Sequence, residues 1–467
     1  MHFRDRYNQF LTAYPAYQDT AKIDGIRAED YSRLDRLGQV YLDYTGSGLY
    51  AESQITDHQR IIQENVFGNP HSTNPASMAA TELVETARES VHDFFRADPA
   101  EYDVIFTSNA SGALKLVGES YPFDGKSRCL LAADNHNSVN GIREFAKGKG
   151  AKATYIPVVG PEMRLPRNEL EKAWKEADPR ANNLFSFPAQ SNFTGVQHPL
   201  SNISEARSHG WDVLVDAAAY APTNRLDLSL VSPDFVALSF YKIFGYPTGI
   251  GALIVRREAL KKLRRPWFAG GTITVVSVKG DKFYFADGHC AFEDGTVDFL
   301  SIPAVDIGLR HIQKVGYEVI HERVRCLTGW LLDNLSEMRH SNDAPFVKIY
   351  GPLDTEMRGG TIAINFYNKE GKPYKFQYIE SEAGKVGISL RSGCFCNPGA
   401  GEIALDLDRP DLLECFSRTE FKDNLTYEDY QVCFAEQETG AVRISVGIAS
   451  NFADVQTLLD FLAGFLE

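Results

Sequence analysis

Seven short runs of this chain are apolar at nearly every position: YDVIFTS (102–108), RCLLAAD (128–134), ATYIPVV (153–159), NLFSFPA (183–189), DVLVDAA (212–218), FVALSF (235–240) and GALIVR (251–256). Each is of strand length and rich in β-branched or aromatic residues. Being apolar on both faces, such strands belong in a largely parallel sheet covered by helices. The segment 77–96 differs, because Leu83, Ala87, Val91 and Phe94 recur at helical spacing among charges. From about residue 300, FLSIPAV leads into a long helical pattern, GLRHIQKVGYEVIHERVRCLTGWLLDNL (308–335). The pattern predicts an N-terminal arm over 1–40, packed on or part of a small domain. A large α/β domain follows over 41–300, and a smaller α+β domain over 301–467.

Composition narrows the class of protein. The 467 residues suffice for two or three domains with proper cores. A net charge of −14 disfavours a broad nucleic-acid surface, which needs clustered Lys and Arg. No apolar run is long enough to span a bilayer, and MHFRDRYNQF lacks the layout of a signal peptide. Seven scattered cysteines with no scaffold spacing point to a cytoplasmic protein with reduced thiols.

Two of the runs end on polar groups. Asp216 closes DVLVDAA, and Lys242 follows FVALSF in SFYKIFGYPTGIG, which does not have the order of a Walker loop. In doubly wound sheets ligands sit beyond the carboxyl ends of strands. A lysine and an aspartate at consecutive ends suit pyridoxal phosphate, the lysine as Schiff-base partner and the aspartate on the pyridine nitrogen.

The pair Cys394 and Cys396 in LRSGCFCNPGAG (390–401) admits several readings: half a zinc site, a redox pair, two inert thiols, or a working nucleophile. A zinc site would need a second close Cys or His pair, and Cys-x-Cys is cramped for a disulfide. Asn397-Pro398-Gly399 gives loop geometry and Arg391 a nearby positive charge, which suit a reactive thiol.

Ten motifs in order extend this picture: YLDYTGSGLY (41–50), FGNPHS (67–72), FTSNASGALKLVGE (106–119), DNHNSVNGIRE (134–144), SNFTG (191–195), VDAAAY (215–220), SFYKIFGYPTGIGAL (239–253), FEDGTVDFL (292–300), RSGCFCNPGA (391–400) and GAVRISVGIAS (440–450). With these the chain resembles fold-type I pyridoxal-phosphate enzymes of the class V aminotransferase group. Within it the chain is most similar to molybdenum-cofactor sulfurases, then to group II cysteine desulfurases.

That resemblance implies a large mostly parallel seven-stranded sheet and a site read residue by residue. Lys242 would hold pyridoxal 5'-phosphate and move protons. Asp216 would pair with the pyridinium nitrogen, His136 would stack on the ring and shuttle protons, and Asn192 would lie near the ring hydroxyl. Ala110, Ser111, Ser239 and Tyr241 would serve the phosphate, and Gly295 and Thr296 would reach the phosphate of a neighbouring subunit, which implies a homodimer. Arg443 would clamp the substrate carboxylate with Arg391 beside it, and Cys396 would be the nucleophile. Cys394 falls where group II desulfurases have histidine and reads as secondary, with a persulfide relay as one use.

The implied reaction converts L-cysteine to L-alanine and leaves sulfur as a persulfide on Cys396 for an acceptor. A C–S or selenocysteine lyase, an aminotransferase or epimerase, and a non-enzymatic sulfur carrier stay as alternatives. Three departures stand out: Tyr241 where desulfurases place histidine, Gly401 where the family tends to have cysteine, and no second, molybdenum-cofactor-binding half within these residues. The acidic segment 402–440 reads as a solvated helix-loop insertion, with a role in access to the thiol or in meeting an acceptor protein as the other choice. Asn451 and Asp454 read as a helix start.

Overall fold

A computed structural model describes residues 3–418, 424–434 and 438–466. Its strands, in chain order, are β1 (Val40–Tyr41), β2 (Tyr102–Thr107), β3 (Arg128–Ala132), β4 (Lys152–Ile156), β5 (Asn183–Pro188), β6 (Trp211–Asp216), β7 (Phe235–Ser239) and β8 (Gly251–Arg256). Then come β9 (Ile273–Ser277), β10 (Lys282–Phe285), β11 (Val347–Tyr350), β12 (Thr361–Phe366), β13 (Ile388–Ser389), β14 (Arg391–Gly393) and β15 (Ala441–Ser445).

All seven apolar runs are strands of one sheet, ordered β2-β8-β7-β6-β5-β3-β4. Only β8 runs against its neighbours, so the other six strands point their carboxyl ends at a single edge. Every residue of β5, β6 and β7 is buried, as runs without polar alternation require. Opposite faces feed separate cores: Leu184, Leu214 and Phe235 pack on one side, Phe185, Phe187, Val213 and Val215 on the other. Each fully buried large apolar side chain contributes about 1.5–3 kcal/mol.

The expected helix over 77–96 is Pro75–Phe95, capped by Asn74, whose side chain accepts the Ser77 N–H, with Pro75 in the first turn. The long pattern after 300 is two helices, Pro303–Val315 and Tyr317–Glu337. Gly316, at φ +88°, breaks it, a conformation costly for other residues.

A four-stranded antiparallel sheet, β11-β12-β15-β14, lies C-terminal to these helices. The N-terminal arm packs beside it. Phe10 stacks on Phe452 and meets Trp330 edge-on, while buried Arg27 pairs with Asp454. Asp454 also forms a capping box with Asn451, the helix start read from sequence. β1 pairs in parallel with β13, which brings residues 40–45 against the cysteine loop's own strand region.

One expectation needs correction. The cysteines are not all free thiols, because Cys415 and Cys433 form a disulfide with Cα atoms 5.7 Å apart. They are 18 residues apart in sequence, and only the return of helix Tyr427–Cys433 onto helix Arg409–Ser417 makes them neighbours. Spacing alone carries no trace of that contact. Among the described residues, no helix is long and apolar enough to cross a membrane.

Candidate active site

The carboxyl edge of the large sheet opens into a cavity. Ala110, Ser111, His136, Asn192, Asp216, Ser239, Tyr241 and Lys242 all line it. They come from separate elements: Asp216 ends β6, Ser239 ends β7, Ala110 starts the helix after β2, and His136 and Asn192 follow β3 and β5. The strands that must be apolar to bury themselves thus deliver their first polar residues at one place.

Asp216 accepts the Ala218 N–H on Oδ1 at 3.0 Å, and Oδ2 has no hydrogen-bond partner among the described residues. Lys242 sits in the short helix Phe240–Phe244 and makes no hydrogen bond among them either. Burial lowers its pKa, the Asp216 charge pulls it back up, and Arg443 pushes it down again. His136 caps the turn Asn137–Asn140, its Nδ1 accepting the Ser138 N–H at 3.1 Å. Burial likewise lowers its pKa, so the ring is neutral at neutral pH. Ser239 Oγ accepts the Ala110 N–H at 2.8 Å at the start of helix Ala110–Ser120, leaving its own proton to donate into the cavity. Ser111 Oγ lies 2.5 Å from Ser138 Oγ, linking this helix to the histidine turn. Burial raises the Tyr241 phenol, which therefore stays protonated.

Arg443 is buried on β15, directly across from Arg391 on β14. Both arginines grip the carboxylate of Asp43. Arg443 Nη2 donates to Oδ1 at 3.0 Å, and Arg391 donates to Oδ2 through Nη2 at 2.7 Å and Nε at 2.9 Å. Arg443 also donates to the Asn192 carbonyl at 3.1 Å, while its buried Nε has no partner among the described residues. Arg391 is half exposed and spends its fork on Asp43.

The cysteine loop follows. Cys396 is exposed and Cys394 half-buried. Phe395 and Cys396 have φ of +55° and +54°, two consecutive left-handed residues without the freedom of glycine. What holds them is a set of amide contacts. Asn192 Nδ2 donates to the Phe395 carbonyl at 2.8 Å, and Asn397 Nδ2 donates to Asn192 Oδ1 at 2.9 Å and to the Asp134 carbonyl at 2.7 Å. The Cys396 carbonyl accepts the Asn137 N–H at 2.7 Å. Gly399 passes so close to this segment that a Cβ would stand 2.1 Å from the Ala133 carbonyl oxygen. Phe395 packs edge-on against Phe193 at 5.3 Å, with the Arg443 guanidinium 4.7 Å over its ring.

Most of the residues read from sequence therefore meet at one place, and Arg443 and the cysteine loop join it through Asn192. Thr296 does not: it lines a separate cavity with Phe106 and Lys115, and its hydroxyl accepts from Asn69 at 3.3 Å. The amide of Asn192 is engaged by the cysteine loop, beyond any task near a ring hydroxyl. Asp43 is new, and Asn397, read from sequence only as a loop residue, is a tether of the cysteine loop. Both lie inside quoted motifs, YLDYTGSGLY and RSGCFCNPGA, and a carboxylate two residues into a strand-like segment was the available signal for Asp43.

The family model for aminotransferase class-V matches residues 40–458. A molybdenum cofactor sulfurase of Solanum lycopersicum is 36% identical over 497 residues, an alignment covering 99% of this chain and 60% of that protein. The chain thus spans about three fifths of the length of that relative. Among solved structures, an apo cysteine desulfurase of Thermococcus onnurineus NA1 superposes with a TM-score of 0.78 at 22% identity, over 95% of this chain and 98% of that one. The protein C-DES, in a mutant solved with glycine covalently linked to its pyridoxal phosphate cofactor, superposes with a TM-score of 0.69 at 19% identity, over 94% and 99%.

Proposed function

The chain belongs to the aminotransferase class V family, and from that premise we propose that it is a pyridoxal-phosphate-dependent cysteine desulfurase. It would convert L-cysteine to L-alanine and hold the released sulfur as a persulfide on Cys396. The observation that carries this is the convergence of an unpartnered lysine, a half-satisfied carboxylate and a helix N-terminus on one cavity, with an exposed thiol in the loop clamped to its rim.

The cavity suits the cofactor's chemistry group by group. Oδ2 of Asp216 is free for a pyridinium N–H, and the Lys242 amine is free for covalent attachment. Ser239, Ser111 and the start of helix Ala110–Ser120 offer donors to a phosphate. Bound there, pyridoxal phosphate supplies an electron sink for the pair left when a substrate Cα loses its proton.

The chain's own residues do the rest. Arg443 receives the substrate carboxylate, its unpartnered Nε and planar fork suited to the task, with Asp43 steadying the guanidinium. Lys242, its basicity lowered by burial, takes and returns the proton at Cα. His136, neutral in the fold, accepts or donates a proton near the substrate sulfur. The Cys396 thiolate attacks that sulfur; the S–S bond forms as the C–S bond breaks, and the fragment that remains becomes alanine.

The expected homodimer fits two further features. Thr296 stands away from the Lys242 cavity of its own chain, beside Asn69, so any phosphate it serves would belong to a second copy. The hairpin β9–β10 and the segment before it expose Trp267, Val275, Val278 and Tyr284, an apolar surface suited to such a contact. The same reading sets the enzyme in the cytoplasm, with Cys129, Cys290, Cys326, Cys394 and Cys396 as free thiols.

The test is Lys242→Ala. Turnover of L-cysteine and the near-visible absorbance of lysine-bound cofactor should both vanish. Turnover that survives the substitution would overturn the assignment.

A further inference from the structure

The Cys-Phe-Cys loop stands between two cavities. On one side is the cavity of Asp216 and Lys242, whose lining residue Asn192 donates to the Phe395 carbonyl of the loop. On the other is a cavity of about 370 Å³ with Cys394 in its lining, among Leu407, Phe416, Tyr427 and Tyr430. Its outer wall comes from the helices Arg409–Ser417 and Tyr427–Cys433, tied together by the Cys415–Cys433 bond. The segment expected to be a plain solvated insertion thus builds a chamber over the second thiol. The proposed reaction uses neither that chamber nor Cys394.

The loop geometry couples the two thiols. Residues two apart have Cα atoms no more than about 7 Å apart, and left-handed turns at Phe395 and Cys396 draw them closer. The Asn397 N–H donates to the Cys394 carbonyl at 2.9 Å, which closes the turn that carries both thiols. A direct disulfide requires sulfurs about 2 Å apart, whereas passing a sulfur atom that lies between them requires about twice that. Phe395, between the two cysteines, is fixed by Phe193 and Arg443.

We propose that Cys394 is a second sulfur carrier, taking the outer sulfur from the Cys396 persulfide and presenting it to an acceptor in the aromatic-walled cavity. The inference rests on the desulfurase reading above. In the step, the Cys394 thiolate attacks the outer sulfur of Cys396–S–SH. A new S–S bond forms on Cys394, the old one on Cys396 breaks, and its electron pair leaves as the Cys396 thiolate. The proton given up by Cys394 ends on Cys396, so one thiol and one persulfide become one persulfide and one thiol, with no net oxidation. Among the described lining residues there is no Lys, Arg or His, and burial raises the pKa of Glu402. The acceptor that suits this wall is a compact, largely apolar thiol or similar soft nucleophile rather than a phosphorylated one.

The test is a time course on the holoenzyme. One equivalent of L-cysteine is added without reductant, thiols are trapped with iodoacetamide, and fragment mass spectra separate Cys394 from Cys396. Extra sulfur should arise first on Cys396 and then on Cys394. In Cys396→Ser neither position should carry it, and in Cys394→Ser it should stay on Cys396. Sulfur that never leaves Cys396 in the unaltered protein, while alanine forms, would overturn the relay alone. So would a Cys394 persulfide in Cys396→Ser, or a Cys394–Cys396 disulfide with free sulfide released. Absence of alanine altogether would sink the desulfurase reading and the relay with it.

Discussion

The two rims of the active site are built by opposite means. The cofactor rim is the carboxyl edge of a seven-stranded sheet, where Asp216 and Ser239 end fully buried strands. Its side chains are placed by ladders of backbone hydrogen bonds and by two apolar cores. The sulfur rim is a loop with two consecutive left-handed residues, each costing roughly 1–2 kcal/mol for a residue with a Cβ. It is held by few contacts, chiefly the amides of Asn192 and Asn397. Groups that must stay rigid beside a cofactor sit on the scaffold. The thiol that must reach a substrate and then an acceptor sits on strained, locally fastened chain.

The largest effect expected from single changes that separate the rims is at Asp216. Asp216→Asn removes the charge that would stabilise a pyridinium, and kcat should fall roughly 10²–10³-fold. The sulfur rim should stay intact, read as unchanged alkylation of Cys396. If alkylation of Cys396 changes as strongly as turnover, the rims are not independent.

Asn397→Ala acts on the other side. It removes donors to Asp134 and Asn192 and the side-chain cap on helix Pro398–Ala404, and should cost about 1–3 kcal/mol of stability, measured by thermal or denaturant unfolding. Persulfide formation should slow while the cofactor absorbance stays as it was. A lost cofactor band with an unaltered loop would reverse the assignment of these contacts.

The smallest effect is in the pH profile. Burial lowers the His136 pKa, so its ring stays neutral until the pH falls below its ordinary value of about 6.5. Activity needing the neutral ring is fully present above that value and lost only as pH drops through the lowered folded pKa. The acid limb of kcat/KM should therefore lie below about 6.5, and His136→Gln should remove it. An acid limb above that value, or one untouched by the substitution, would take His136 out of proton transfer.

The same contrast explains what could be read from sequence. The strands of the large sheet were legible because two buried faces leave uninterrupted apolar runs, and Asp216 and Lys242 stood out as the polar residues that end them. Motif order added His136, Asn192, Ser239 and Arg443, which the fold brings together around one cavity or onto its rim. The sulfur rim was legible as a loop with two cysteines beside Arg391, and resemblance alone singled out Cys396 as its nucleophile. The grip of Asp43 on both arginines joins residues some 350–400 positions apart, and no local pattern marks such a contact. The Asn192–Asn397 link and the Cys415–Cys433 bond are hidden for the same reason, since tertiary folding alone makes them neighbours. The break at Gly316 was missed because the apolar spacing continues across it.

The most direct measurement is product analysis of the purified holoenzyme given L-cysteine and a thiol reductant, quantifying alanine, pyruvate and sulfide together. Alanine and sulfide in equal amounts, with no pyruvate, is the expected result, and it requires the Cys396 thiolate to take the sulfur. Pyruvate in place of alanine would mean elimination without a protein nucleophile, and would contradict the division of labour between the two rims.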